Sequence, residues 1–117
     1  MAIFSSHLLN SLDGTHASNV KVSLTKIDLQ GEKKILFDMV TDENGRINKE
    51  FDLTQDDFLC NFEMIIKLGD YFSNYSKTDS NKIVSDIVIR INMKNNNTKY
   101  HIPIIISPNS YSIWWSK

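Results

Sequence analysis

The sequence predicts an all-β protein, a β-sandwich of eight short strands with one brief helix. Turn-forming residues (Asn, Asp, Gly, Ser and Pro) interrupt the chain at short intervals, and the segments between them alternate apolar and polar residues. Such alternation is typical of strands with one buried face, and regularly spaced short strands favour a sandwich. We expect a single domain over residues 1–117, because a chain of this length can bury one core but not two.

Five of the strands are expected before residue 69. They are a short N-terminal strand that contains His7, and strands over residues 20–29, 34–41, 47–53 and 58–68. Gln-Gly-Glu-Lys between the second and third strands predicts a hairpin. Asn44-Gly45 is a strong turn signal, because both residue types tolerate a positive φ. Thr-Gln-Asp-Asp at 54–57 is compatible with a single helical turn.

The remaining chain supplies the helix and three strands. Phe72 and Tyr75 lie at helical spacing, which predicts a short helix before a polar loop that runs through Asn81. β-Branched residues over 83–93 predict the sixth strand. The last two strands lie in "KYHIPIIISPNSYSIWWSK", residues 99–117, where a Ser-Pro turn separates them and the second strand ends in two tryptophans.

The seventh strand is apolar on both of its faces. Its core face carries Tyr100, Ile102, Ile104 and Ile106, and its other face carries His101, Pro103 and Ile105. The second face is too apolar for open water, so we expect another subunit or a ligand to cover it. Pro103 has no N–H, so its nitrogen is expected at a non-bonded position, at an edge or a bulge. Alternation in the last strand places Ser112 and Trp114 on the covered surface with His101.

Composition excludes several classes of partner. The chain is 41% hydrophobic and 23% charged, with a formal net charge of −1, which is typical of a soluble globular protein. This balance gives no reason to expect nucleic acid or a membrane surface as a partner. No segment is apolar for long enough to span a membrane, and the N-terminus does not resemble a signal peptide. The single cysteine, Cys60, excludes an internal disulfide and is expected to be buried, so we expect a cytoplasmic protein.

Three polar residues are candidates for chemistry: His7, Arg46 and His101. Each also has a simpler interpretation, as a surface histidine, a turn arginine and a hydrogen-bonded core histidine respectively. His16 is expected to be exposed and is assigned no role. The sequence has no histidine or cysteine pair at metal-binding spacing, no Gly-rich phosphate loop and no nucleophile elbow. We therefore expect no metal and no cofactor.

Motifs along most of the chain resemble the transthyretin-related 5-hydroxyisourate hydrolase family. The family's His-Val-Leu-Asp segment corresponds to residues 7–10 (His-Leu-Leu-Asn), followed by Gly14. Its Asp-Gly-Arg corresponds to residues 44–46 (Asn-Gly-Arg), and its Tyr-His-Val-Pro with a later Ser-Pro corresponds to 100–103 (Tyr-His-Ile-Pro) and 107–108. The "GDYF" stretch is similar to the family's helix after the fifth strand.

The resemblance implies a transthyretin-like sandwich of two four-stranded sheets, assembled as a homotetramer (a dimer of dimers) around a central channel. The first, seventh and eighth strands would line that channel. The family's catalytic roles correspond to His7, Arg46 and His101 here, and we expect Pro103, Ile105, Ser112 and Trp114 to contact the substrate. The implied reaction opens the cyclic amide ring of 5-hydroxyisourate in urate degradation. A neutral histidine would activate water and Arg46 would stabilise the oxyanion.

The chain departs from the family at its C-terminus. The hydrolases typically end in Tyr-Arg-Gly-Ser, whereas this sequence has Trp114, Trp115, Ser116 and Lys117 in the same register. Two alternatives therefore stay open. One is a non-catalytic transthyretin-like carrier that binds a flat aromatic ligand, and the other is a hydrolase with a different cyclic amide as substrate. Sequence does not decide which histidine is the general base.

Overall fold

The computed structural model describes residues 1–75 and 82–117, and within them the chain forms eight strands, one 3-10 turn and one α-helix. The strands are β1 (Ala2–Asn10), β2 (Lys21–Ile27), β3 (Lys33–Val40), β4 (Arg46–Phe51), β5 (Asn61–Ile66), β6 (Ile87–Ile91), β7 (Lys99–Ser107) and β8 (Ser110–Ile113). The 3-10 turn spans Asp57–Leu59, and helix α1 spans Leu68–Tyr75. The polar loop expected to run through Asn81 lies outside the described residues.

The strands of the described chain form two four-stranded sheets, with orders β4-β1-β7-β8 and β3-β2-β5-β6. Strands β1 and β7 are parallel, and the other neighbouring strands are antiparallel. The expected sandwich of two four-stranded sheets with a short helix is confirmed. No helix among the described residues is long and apolar enough to cross a membrane.

The core lies between the two sheets. Its fully buried side chains include Phe4, Leu8, Leu24, Phe62, Met64, Ile66, Phe72, Ile104 and Ile106. Phe4 and Leu8 are an even number of positions apart on β1, as are Ile104 and Ile106 on β7, so each strand buries one face. Cys60 is 6% exposed, which confirms its expected burial. The opposite face of the sheet β4-β1-β7-β8 therefore points out of the sandwich.

Two strands begin three or more residues later than the sequence predicts. Strand β5 begins at Asn61 rather than at residue 58, because the 3-10 turn Asp57–Leu59 occupies the predicted start. Strand β6 begins at Ile87 rather than at residue 83. The backbone N–H groups of Ile83 and Val84 donate to the Asn109 side chain instead of to a neighbouring strand. In that segment, hydrogen bonds to a side chain thus replace the backbone hydrogen bonds of a sheet.

Strand β8 ends at Ile113, so the expectation that the last strand contains both tryptophans is wrong. The cause lies in the neighbouring strand. The Trp114 N–H donates to the Pro103 carbonyl (3.4 Å), so the ring nitrogen of Pro103 faces β8 at the same point and has no hydrogen to return. Pro103 lies in β7, a central strand of the sheet, at the position where regular pairing with β8 ends. Pairing resumes once, at a bridge between His101 and Ser116.

Candidate functional site

The outer face of the sheet β4-β1-β7-β8 gathers the candidate residues into rows that run across the strands. In the first row, His7 lies opposite Arg46 on β4 and in register with Pro103 on β7. Trp114 continues this row through its backbone hydrogen bond to Pro103. Partners in register point to the same face, and adjacent strands lie about 5 Å apart. Arg46, His7, Pro103 and Trp114 are therefore neighbours on one surface.

The second row lies two residues along each strand. Ser5 pairs with Asn48 on β4 and with His101 on β7, and His101 bridges to Ser116. Within this row the Ser5 hydroxyl lies 2.8 Å from Nδ1 of His101. His101 is a diagonal neighbour of His7, which corresponds to about 7–8 Å between backbone positions. The two histidines and the arginine thus share one patch.

The third row is mainly apolar and contains the remaining residues that were expected to contact substrate, Ile105 and Ser112. Leu9 on β1 is in register with Ile105 on β7, and Ile105 pairs with Ser112 on β8. Ile105 and Leu9 are half-buried, Ser112 is exposed, and Trp114 in the first row is 46% exposed. Every residue expected to contact substrate lies on the same outer face as the three candidate catalytic residues.

His16 also belongs to this surface, although its sequence context predicts an exposed residue with no role. It is exposed, as expected, but it forms an isolated antiparallel bridge with Leu9, next to His7 on β1. Nε2 of His7 lies 2.9 Å from Nδ1 of His16. The signal in the sequence is the Asp13-Gly14 turn, which sends the chain back along β1.

A tight turn positions Arg46 beside His7. The Asp42 carboxylate accepts hydrogen bonds from the backbone N–H groups of Asn44 and Arg46, both at 2.9 Å. Gly45 adopts a φ of +71° and its carbonyl accepts the N–H of Leu8 (2.8 Å). A Cβ on Gly45 would collide with the backbone oxygen of Leu8. Glycine is therefore required at this position by its conformation and by its close contact with β1.

Both candidate catalytic histidines favour the neutral form. Partial burial lowers the pKa of His7, and the charges of Arg46, His16 and His101 lower it further, while a hydrogen bond to the backbone of Asn44 acts in the opposite direction. Partial burial also lowers the pKa of His101, assisted by the charges of Lys99 and Arg46. Burial disfavours an added charge, and nearby cations disfavour a second one. The patch therefore presents unprotonated imidazole at neutral pH.

The second tryptophan lies on the other side of the chain. Trp115 stacks on Tyr100, a core residue, with ring centroids 5.8 Å apart and planes 24° apart. Nζ of Lys117 lies 5.3 Å from the centroid of the Trp115 ring. Trp115 thus covers the end of the core, and Trp114 alone of this pair is aligned with the row that contains His7.

Among the described residues, no three His, Cys, Asp or Glu side chains are grouped so that they could hold a metal ion. The polar groups of the patch are imidazole, guanidinium and hydroxyl groups. Together they can accept a proton, bind a carbonyl oxygen and hold water. This donor set suits a polar, planar organic molecule.

Comparisons with known proteins agree with this fold. The chain is 30% identical over 110 residues to a 5-hydroxyisourate hydrolase of Halalkalibacterium halodurans, and the match covers 92% of each chain. The structure of a Klebsiella pneumoniae 5-hydroxyisourate hydrolase superposes with a TM-score of 0.78 at 24% identity, over 100% of both chains. An (S)-allantoin synthase superposes with a TM-score of 0.79 at 20% identity, over 99% of this chain but only 44% of that longer one.

The model of one protein family extends over nearly the whole sequence. It matches residues 4–115 and is described as the HIUase/Transthyretin family. The matched range includes the outer face with His7, Arg46 and His101. The chain belongs to the HIUase/Transthyretin family.

Proposed function

We propose that this protein is a 5-hydroxyisourate hydrolase, which opens the cyclic amide ring of 5-hydroxyisourate in urate degradation. The observation that carries the proposal is the placement of His7 opposite Arg46, with His101 one row away on the same face. The curated relative at 30% identity that bears this name supports it. A carrier protein of the same fold would not need two imidazoles with lowered pKa beside a guanidinium.

The reaction needs a base, an oxyanion partner and a proton for the leaving group. Water attacks a ring carbonyl carbon, a C–O bond forms, and one proton of the water passes to a base. The C–N bond of the ring then breaks, and the ring nitrogen leaves with a proton. A neutral imidazole can serve both transfers, first as base and then as acid.

His101 is the base we favour. Its Nδ1 is held by the Ser5 hydroxyl at 2.8 Å, which fixes the ring and leaves Nε2 for a bound water. Nε2 of His7 is already in contact with His16. His7 would therefore contact the substrate with the face of its ring beside Arg46, and His101 would take the proton.

Arg46 would bind the carbonyl oxygen on which negative charge develops. Its guanidinium is planar and carries several N–H donors, so it can hold two oxygens of a planar heterocycle at once. The turn that fixes its backbone also fixes its distance from β1. A positioned donor of this kind contributes about 10²–10³-fold to kcat.

The rest of the outer face would form the walls of the pocket. Ile105 and Trp114 would supply apolar surface, Pro103 is buried in the same row as Trp114, and Ser112 would supply a hydroxyl group at the far side of Ile105. We propose that a second copy of the chain covers this face in a homotetramer. Sedimentation velocity tests the assembly: Ile105→Asp is expected to yield smaller species, whereas Ile35→Asp, at a 65% exposed position in the other sheet, is expected to leave the assembly intact. A monomeric wild type would contradict it.

The activity is tested by generating 5-hydroxyisourate in situ and following the loss of its ultraviolet absorbance. The purified protein is expected to accelerate the decay, and His101→Ala to reduce kcat by about 10²-fold or more. His7→Ala is expected to be similarly impaired. Circular dichroism of each variant checks that the sandwich is intact. A wild-type rate no faster than spontaneous decay would exclude this function.

One feature favours the alternative of a non-catalytic carrier. Trp114 replaces the family's tyrosine and is 46% exposed on the proposed pocket wall, where it could stack on a flat aromatic ligand. The same histidine variants separate the two functions. In a carrier, His7→Ala and His101→Ala would change ligand affinity only modestly, and no turnover would be measured for any variant.

A further inference from the structure

His7 on β1 and His16 in the loop that follows it are in direct contact through their ring nitrogens. Nε2 of His7 and Nδ1 of His16 lie 2.9 Å apart, and the ring centroids are 5.0 Å apart with an angle of 34° between the planes. This is the distance of a hydrogen bond, so one hydrogen lies between the two nitrogens.

The backbone on both sides of His16 holds the ring in this place. Before it, the Thr15 carbonyl accepts the N–H of Asn10 (2.8 Å), and after it the Ala17 N–H donates to the Leu8 carbonyl (2.9 Å). Ala17 is completely buried. The loop is therefore clamped onto β1 at the residues that flank His16, and its side chain points to the same face as Leu9.

The contact restricts the protonation states of the pair. If both rings were protonated, an N–H of each would point at the other, and the contact would break. If both are neutral, one ring donates and the other accepts. The backbone of Asn44 raises the pKa of His7, as a hydrogen-bond acceptor would, and Nδ1 is the ring nitrogen that the contact with His16 leaves for it. His16 is then the donor, and Nε2 of His7 is the acceptor.

We propose that His16 is a positioning residue for His7, and that its Nδ1–H donates to Nε2 of His7 and thereby fixes the orientation and the tautomer of that ring. The proposal deepens the hydrolase function and rests on it where turnover is the readout. It adds a third histidine to the site, on a loop rather than on a strand.

The charges around His7 set the sign of the expected pH effect. Arg46 from β4, His101 from β7 and His16 from the loop all oppose a positive charge on His7, and the carboxylate of Asp42 in the turn favours it. The hydrogen bond from His16 also stabilises neutral His7. Removing His16 is therefore expected to raise the pKa of His7, which the titration midpoint of that imidazole measures directly.

The kinetic test compares two substitutions of the same residue. His16→Ala is expected to lower kcat by about fivefold, the effect of one lost hydrogen bond, with KM unchanged. His16→Asn keeps a donor where Nδ1 stood and does not titrate, so kcat is expected to return to within about twofold of wild type. Leu12→Ala, at a 56% exposed position in the same loop, is the matched control and is expected to match wild type.

A second test does not depend on turnover. The chain has three histidines, so single substitutions assign each imidazole in long-range ¹H–¹⁵N spectra. We expect wild-type His7 to keep one tautomer, and His16→Ala to mix the tautomers and raise the titration midpoint of His7. Unchanged titration of His7 in His16→Ala, or an His16→Asn variant as impaired as His16→Ala, would overturn the proposal. An inactive wild type would instead reject the hydrolase function, and the titration would still decide the role of His16.

Discussion

Ser5 Oγ lies 2.8 Å from Nδ1 of His101, although 96 positions separate the two residues in the sequence. The register of the parallel pair β1/β7 brings them together, and the next pair in that register is Ser6 with Ile102. Ser5 faces the outer surface, whereas Ser6 is turned inward and donates to the Ile102 carbonyl (2.6 Å). Two adjacent buried serines thus serve opposite faces of the same strand.

This difference allows a matched test of how His101 is positioned. Ser5→Ala is expected to lower kcat about fivefold, because the ring of His101 loses the partner that fixes it. Ser6→Ala removes a hydroxyl of similar burial, 1% exposed against 5% for Ser5. We expect each variant to lose about 1 kcal/mol of unfolding free energy, measured in urea, but only Ser5→Ala to lose activity. Equal kcat values for the two variants would contradict this role of Ser5.

Arg46 is expected to matter for the rate and for its pH dependence. Arg46→Gln should lower kcat by about 10²–10³-fold, because the developing oxyanion loses a charged donor. The acidic limb of kcat/KM should also move to higher pH, because the charge of Arg46 lowers the pKa of both His7 and His101.

Lys49→Gln provides the control for Arg46. Lys49 is an exposed cation on the same strand, but it pairs with Phe4 and so belongs to the alternate set of β4 positions. We expect its kinetics to match wild type. Equal effects of the two substitutions would show that the general positive charge of β4 determines the rate. They would exclude a specific contact of Arg46 with the substrate.

The wild-type enzyme should remain active at mildly acidic pH. The histidine that acts as base must be neutral, and burial lowers the pKa of both His7 and His101. The acidic limb of kcat/KM reports the pKa of the free enzyme's base, so it should lie below about 6.5, the value for an unperturbed imidazole. A limb clearly above that value would show that neither histidine is the base in the environment described.

Gly45 should be the least replaceable of the turn glycines. Gly45→Ala forces an L-residue to φ +71° and places a methyl group against the backbone of Leu8 and Ala17. Gly31→Ala is the matched control, because Gly31 has a φ of +85° but open space around its Cα. The conformational cost, about 1–2 kcal/mol, is common to both. We expect a clearly larger drop in Tm for Gly45→Ala than for Gly31→Ala. Equal drops would show that the backbone of β1 moves away from the added methyl group without loss of stability.

Much of the fold could be predicted because local signals agree with it. Alternation located most strands within a few residues, and the two faces of β7 were assigned correctly. The ends of strands were less accurate, since they depend on partners that are distant in the sequence. β8 stops where Pro103 of the neighbouring strand lacks a donor, and the predicted start of β6, at Ile83, instead donates to Asn109. A single sequence does not contain these pairings.

In the candidate site, too, local motifs could be recognised in the sequence and long-range contacts could not. His7, Arg46 and His101 were found because short motifs around them resemble a family, and strand register then brings them together. His16 and Ser5 were missed because each is linked to the candidate site by a contact with another polar residue rather than by a motif of its own. The catalytic roles, the homotetramer, the single domain over 1–117 and the cytoplasmic location stay predictions.

The parallel pairing of β1 with β7 also has a consequence for biosynthesis. β1 is translated before both of its neighbours, β4 and β7, and β7 is the seventh strand in chain order. An early strand without its partners exposes unpaired backbone groups and a row of apolar side chains. Until translation reaches residue 107, the nascent chain can close the hairpin β2/β3 but not the sheet that carries the histidines. Newly made chains should therefore depend on chaperones until β7 is complete, and the sheet that carries His7 and His101 should close after the hairpin β2/β3.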